Sequence, residues 1–137
     1  MDARQARERF RRERVARLAT VGEDGAPHLV PVTFAVSGDR VMIAIDHKPK
    51  TTTNLKRLRN IRSNARVALL ADHYADDWTR LWWVRADGSA RVVESGDERN
   101  SSMDLLVEKY DQYRAHRPEG PLIVVDVARW SGWSYSG

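Results

Sequence analysis

Two tight turns limit how this chain can fold. Gly22-Glu23-Asp24-Gly25 and Ser37-Gly38-Asp39 each interrupt an apolar stretch after only a few residues. Glycine supplies the positive φ that a hairpin turn needs at little steric cost, and Asp-Gly is a strong hairpin signal. Val15 to Val21, His28 to Val36 and Arg40 to Ile45 therefore read as three antiparallel strands of a β-meander. Pro31 has no N–H to give to a ladder, so its strand belongs at a sheet edge or a bulge. The third strand is apolar almost throughout, the pattern of a strand buried on both faces.

The rest of the chain keeps this style. Thr51 or Thr52 opens a helix to about Ile61, with Leu55, Leu58 and Ile61 inward. Ala65 to Ala71 is a fourth strand and Asp72 to Asp77 a polar loop. Thr79 to Glu94 reads as one long strand or a strand pair, with Asp87-Gly88 as a bulge or a turn. Glu98 to about Tyr113 is a helix with Leu105, Leu106 and Tyr110 on its buried side. Leu122 to Val127 is the last strand, followed by an aromatic tail. Strands arrive in meanders and do not alternate with helices. The expected architecture is mainly β (α+β): a six- to seven-stranded antiparallel barrel flanked by about three helices. It forms a single domain over 1–137, with a helix at 1–14, a barrel over 15–130, helices near 51–61 and 98–113, and a tail at 131–137.

Composition removes several classes of function. With no cysteine there is no disulfide framework and no thiol chemistry. No apolar run reaches the roughly 18 residues that span a membrane, and the charged start does not read as a secretory signal. A cytoplasmic protein with no membrane partner is expected. His28, His47, His73 and His116 are scattered without ligand spacing, so no metal site is expected. Arg4, Arg7, Arg11 and Arg14 form a stripe on the first helix, partly neutralised by Glu8 and Glu13. No aromatics interleave with these cations, and the stripe reads as a solvated face, not a nucleic-acid surface.

The stretch from Lys48 to Arg66 is different: it holds seven basic residues and no acidic one. It follows a buried strand and runs into a helix. Helix N-termini present unpaired N–H groups and partial positive charge, lysines add full charge, and threonine hydroxyls add donors. Lys48, Lys50, Thr51 and Thr52 at such a junction read as a phosphate clamp for a cofactor.

The order of these pieces carries a resemblance. Ala16-Arg17-Leu18-Ala19-Thr20-Val21, Gly25-Ala26-Pro27-His28-Leu29-Val30-Pro31-Val32, Lys48-Pro49-Lys50, Asn54-Leu55, Asn64-Ala65-Arg66-Val67-Ala68-Leu69 and the block from Asp77-Trp78 to Ser89-Ala90 follow one another over nearly the whole chain. Together they resemble the split β-barrel family related to pyridoxamine 5′-phosphate oxidase, the FMN-binding split-barrel type. The nearest likeness is to its actinobacterial branch, which uses the deazaflavin coenzyme F420. The resemblance implies an oxidoreductase that moves a hydride between reduced F420 and an unsaturated small-molecule substrate, working as a homodimer with cofactor sites at the interface. It implies phosphate contact by Lys50, supported by Lys48, Thr51, Thr52 and Asn54. It places the ring against Pro31-Val32-Thr33 and Ala44-Ile45-Asp46, with Trp78 and Trp82 or Trp83 closing the site of the second subunit. FMN-using relatives tend to carry a basic residue in the strand before the phosphate segment, whereas Val41 to Ile45 is uncharged here. That favours F420, with FMN as the alternative. Lys56, Arg57, Arg59 and Arg62 are cations suited to the glutamyl tail of F420. No catalytic dyad is visible. Tyr74 and His73 are the candidate proton donors, and a non-catalytic ligand-binding protein is the remaining alternative.

Overall fold

The computed structural model describes residues 1–45 and 55–136. Its elements are α1 (Ala3–Arg12), β1 (Ala16–Val21), β2 (Pro27–Val32), β3 (Phe34–Ser37), β4 (Arg40–Ala44), α2 (Lys56–Ser63), β5 (Arg66–His73), a 3₁₀ turn (Trp78–Arg80), β6 (Trp82–Val93), α3 (Asp97–Lys109), α4 (Asp111–Ala115) and β7 (Leu122–Ser134). All seven strands join one antiparallel sheet in the order β2-β1-β5-β6-β7-β4-β3.

That order forces closure. In a flat sheet, seven strands spaced about 4.8 Å apart would put the outer two roughly 29 Å from each other. Yet β2 and β3, the two edges, are separated in the chain by Thr33 alone. One residue spans about 3.5 Å. The sheet therefore curls until its edges meet at Thr33, which makes the split barrel. Pro31 lies on β2, an edge strand, where its missing N–H leaves no gap between paired strands.

The barrel interior holds Leu18, Phe34, Val41, Ile43, Leu69, Val84, Ile123 and Val125. Helix α1 seals one side. Asp2 and Gln5 form a reciprocal capping box at its start, and Phe10 packs its ring 4.7 Å from that of Phe34 and 5.5 Å from that of Trp130. A second core lies outside the barrel wall, where Ala35, Met42, Ala44, Leu122 and Val124 meet Met103, Leu106 and Tyr110 of the α3 region. Strand β4 is thus buried on both faces, as its unbroken apolar run suggests.

Several boundaries differ from the sequence reading. Helix α2 begins at Lys56, and the part expected over Thr51 to Asn54 lies outside the described residues. The helix expected over 98–113 is broken at Tyr110, giving four helices among the described residues. Tyr110 is extended (φ −119°, ψ 120°) because its hydroxyl is tied to residues far along the chain. Leu105 is exposed, so only Leu106 and Tyr110 of the expected trio are buried. Strand β5 runs on through His73, which shortens the polar loop, and β6 starts only after the 3₁₀ turn. The long-strand alternative holds for β6: Asp87 pairs with Arg129 and Gly88 with Val127, so Ala128 is the extra residue of a β-bulge. The tail expected at 131–137 is strand as far as Ser134, because the first residues of β6 pair with it from Trp82 to Arg85.

Candidate functional site

Where the two sheet edges meet, a cavity of about 300 Å³ opens. Pro31 and Val32 from the end of β2, Thr33 at the corner, Ala44 at the end of β4 and Val15 before β1 form its strand-derived wall. Arg57 of α2 and Gln112 and Tyr113 of α4 complete it. The position follows from topology. A strand that passes from one edge of a sheet to the other cannot keep its ladder through the corner, and the splayed edges leave room for a ligand.

The corner is braced from behind. The Tyr110 hydroxyl accepts the Phe34 N–H at 3.1 Å and has the Arg14 and Phe34 carbonyls at 2.9 and 3.0 Å. Its single proton serves one of those two acceptors at a time. Burial pushes the Tyr110 phenol above its ordinary pKa. Lys109 donates to the carbonyls of Glu13 at 2.7 Å and Arg11 at 3.2 Å, and its ammonium sits 3.9 Å from the Phe34 ring centroid. Half-buried there, with Arg14 and Arg11 close by, it is lowered to about 8 despite the opposing charge of Glu13. Arg14 returns a bond to the Lys109 carbonyl at 3.0 Å. The α3–α4 break is thereby fastened to the α1–β1 link and to β3. Tyr113 is carried by this brace: its ring stands edge-on to Tyr110 at 5.5 Å, and its hydroxyl lies 2.6 Å from Thr33 Oγ1.

The structure brings Pro31, Val32, Thr33 and Ala44 to one cavity. Ile45 packs against the barrel core. Asp46, Lys48, Lys50, Thr51, Thr52 and Asn54 lie outside the described residues. The other candidates do not line this cavity. Trp82 packs against the barrel core with the Arg9 guanidinium 4.9 Å from its ring centroid, and His73 stacks on it at 6.4 Å. Trp83 points the opposite way, as alternation along a strand requires. It joins Leu29, Leu70, Tyr74, Arg17 and Arg85 around an open groove of about 510 Å³ on the outside of β1, β2, β5 and β6. Trp78 sits on the 3₁₀ turn and is 70% exposed. Sequence reasoning missed Val15, Gln112 and Tyr113 as cavity residues, and gave Arg57 only a tail-binding role. The Tyr110-x-x-Tyr113 spacing was the available signal, but one continuous helix was expected through both.

Residues 3–134 match the family described as pyridoxamine 5′-phosphate oxidase. The chain belongs to that family. A 5a,11a-dehydrotetracycline/5a,11a-dehydrooxytetracycline reductase of Streptomyces rimosus is 39% identical over 63 residues. That match spans 46% of this chain and 43% of the reductase, less than half of either. Among solved structures, a conserved hypothetical protein of Mycobacterium tuberculosis superposes with a TM-score of 0.79 at 22% identity, covering 98% of this chain and 86% of that one. An FAD-binding protein of Mesorhizobium loti gives 0.69 at 20% identity, covering 96% and 94%. At such identities these structures speak for the family's split-barrel fold alone. Among the described residues no group of three or more His, Asp or Glu is placed to hold a metal ion, and no helix is long and apolar enough to cross a membrane.

Proposed function

We propose that this chain is an oxidoreductase that binds the deazaflavin F420 in the Thr33 cavity and passes a hydride from it to an unsaturated organic substrate. FMN is the alternative occupant. One observation carries the reading. The chain leaves the cavity wall at Ala44 and returns to it at Arg57, so both ends of the lysine- and threonine-rich segment start from the cavity rim. A planar ring on the strand ends and an anion held by that segment are then parts of one ligand.

The residues present fit such a group. Val15, Pro31, Val32 and Ala44 offer apolar walls, while Thr33, Tyr113 and Arg57 offer polar edges. When bound, the cofactor supplies two electrons as hydride. The strand ends orient the ring, and the apolar walls keep water from its face. The S. rimosus relative bears a reductase name, which supports the redox class. Tyr74 and His73 lie away from the cavity in the same subunit, so solvent is the proton source this arrangement favours.

The reading includes a homodimer. The outer groove is bounded by Leu29, Leu70, Tyr74 and Trp83, and a second copy is the occupant proposed for it. Trp83 is then assigned to the seam. Trp78, exposed on its turn, is assigned to the second subunit's site, and Trp82 to packing.

Titration of the protein with F420 and with FMN, followed by fluorescence, tests the reading. Tight binding of F420 and weaker binding of FMN is expected. Lys50→Ala should weaken the bound cofactor by roughly 1.5–3 kcal/mol, the scale of a hydrogen bond to a charged group. An unchanged affinity in that variant sinks the phosphate assignment. Tight cofactor binding with no turnover across a broad panel of unsaturated substrates would instead favour the non-catalytic carrier.

A further inference from the structure

Apolar walls hold a ring in a cavity but do not set its rotation in the plane; hydrogen-bonding groups do. We propose that the Thr33–Tyr113 hydroxyl pair is the donor that fixes the ligand's rotation, by meeting a carbonyl oxygen or a deprotonated ring nitrogen at the ligand's edge. This rests on the reading that the cavity takes a planar heterocyclic cofactor.

Counting protons leads to the pair. Thr33 Oγ1 and the Tyr113 hydroxyl are 2.6 Å apart, and either is able to donate. The contact consumes one proton. Two hydroxyls carry two, so one O–H is left over whichever way the pair is arranged. Both residues line the cavity. Pro31 on the same wall has no N–H to offer. The neighbouring Tyr110 is chemically identical but already committed to Phe34 and Arg14. The leftover donor calls for an acceptor on the ligand, and the carbonyl-bearing edge of a deazaflavin or flavin ring is of that class.

The donor is also held in place in advance. Helix α4 has only five residues, too few to be stable alone. What fixes the Tyr113 ring is its edge-on contact with Tyr110, whose own hydroxyl is tied to β3 and to the α1–β1 link. A donor positioned before the ligand arrives loses little entropy on binding.

Tyr113→Phe, Thr33→Val and the double variant test the proposal, each titrated with F420 and FMN beside the wild type. The double variant removes both hydroxyls and should weaken binding about three- to tenfold, the range for one neutral hydrogen bond. Each single variant should lose less than the double one, because the remaining hydroxyl keeps its proton for the ligand once the contact is gone. The visible absorption band of the bound cofactor should shift most in the double variant. Unchanged affinity and an unshifted band in the double variant would overturn the pair's role and leave the cofactor reading standing. Failure of the wild type to bind either cofactor would overturn that reading and the pair's role with it.

Discussion

The two outer faces of this barrel are treated in opposite ways. On the side of β3, β4 and β7, the outward residues Ala35, Met42, Ala44, Leu122 and Val124 are covered by Met103, Leu106 and Tyr110. A ring of four charges borders that cover. Arg91 pairs with Glu98 at 2.7 Å and Asp126 at 3.3 Å, and Arg40 with Asp126 at 2.9 Å and Glu98 at 3.6 Å. On the side of β1, β2, β5 and β6, no helix among the described residues covers Leu29, which is 66% exposed, Leu70 or Tyr74, and Trp83 is half-buried beside them. The strands obey one alternation rule on both sides. What differs is where the cover comes from: α3 supplies it on one face, and the other presents a contiguous apolar surface of the kind that marks a contact with another molecule.

The contrast can be broken first where the two sides join, at the β6–β7 bulge. A Cβ on Gly88 would lie 2.2 Å from the Asp126 carbonyl oxygen, so Gly88→Ala must push β6 and β7 apart at the bulge. A loss on the order of 2–4 kcal/mol in urea unfolding is expected, and stability like that of the wild type would show that the bulge tolerates a side chain. Glu98→Gln should cost less, about 1 kcal/mol at most, because the charge ring is partly exposed. The loss should shrink in high salt. Arg91 holds the Glu98 carboxyl below its ordinary pKa of 4.5, so its contribution is present at neutral pH and disappears as pH falls through the acid range. A variant that loses as much stability at 1 M salt as at low salt would contradict this.

Lys109 contributes a pH effect of the same sign, in the alkaline range. Its folded pKa of about 8 lies below its ordinary value of 10.5, so over that interval the unfolded chain holds a proton that the folded chain has released. Stability should rise with pH between those limits in the wild type, and Lys109→Met should remove that component. Parallel melting profiles against pH for the two proteins would disprove it. The smallest change in folding stability belongs to the bare face. Leu70→Glu should shift it by no more than about 0.5 kcal/mol, yet convert the proposed dimer to a monomer in sedimentation. Loss of the dimer with little loss of fold is the sharpest form of the comparison, and a dimer that survives the change would refute the seam.

The fold was largely written in local signals. The Asp24-Gly25 and Gly38-Asp39 turns, the apolar run of β4 and the alternation of Trp82 and Trp83 each report a local geometry, and the resemblance ordered them into a split barrel. The misreadings share one cause. Tyr110 interrupts a helix with neither Gly nor Pro nearby, because its hydroxyl partners are Phe34 and Arg14, distant in sequence. The Arg129 to Ser134 stretch reads as a tail until β6 is seen to pair with it. The cavity was half legible for the same reason. Pro31 to Thr33 and Ala44 came from the resemblance, while Arg57 and Tyr113 reach the cavity only through the closure of the sheet.

The strand order also dictates when the cavity comes into being. Strand β4 has two neighbours, β3 and β7, and Ala44 finds its partner only in Leu122, far downstream. Until β7 is in place, the β3–β4 hairpin has one edge unpaired. Thr33 waits equally for Tyr113. Such long-range pairing makes for slow folding, and the cavity is expected among the last features to form. A ligand that binds there recognises only the finished barrel and stabilises no earlier species. Binding competence and complete folding should then appear with the same rate constant during refolding.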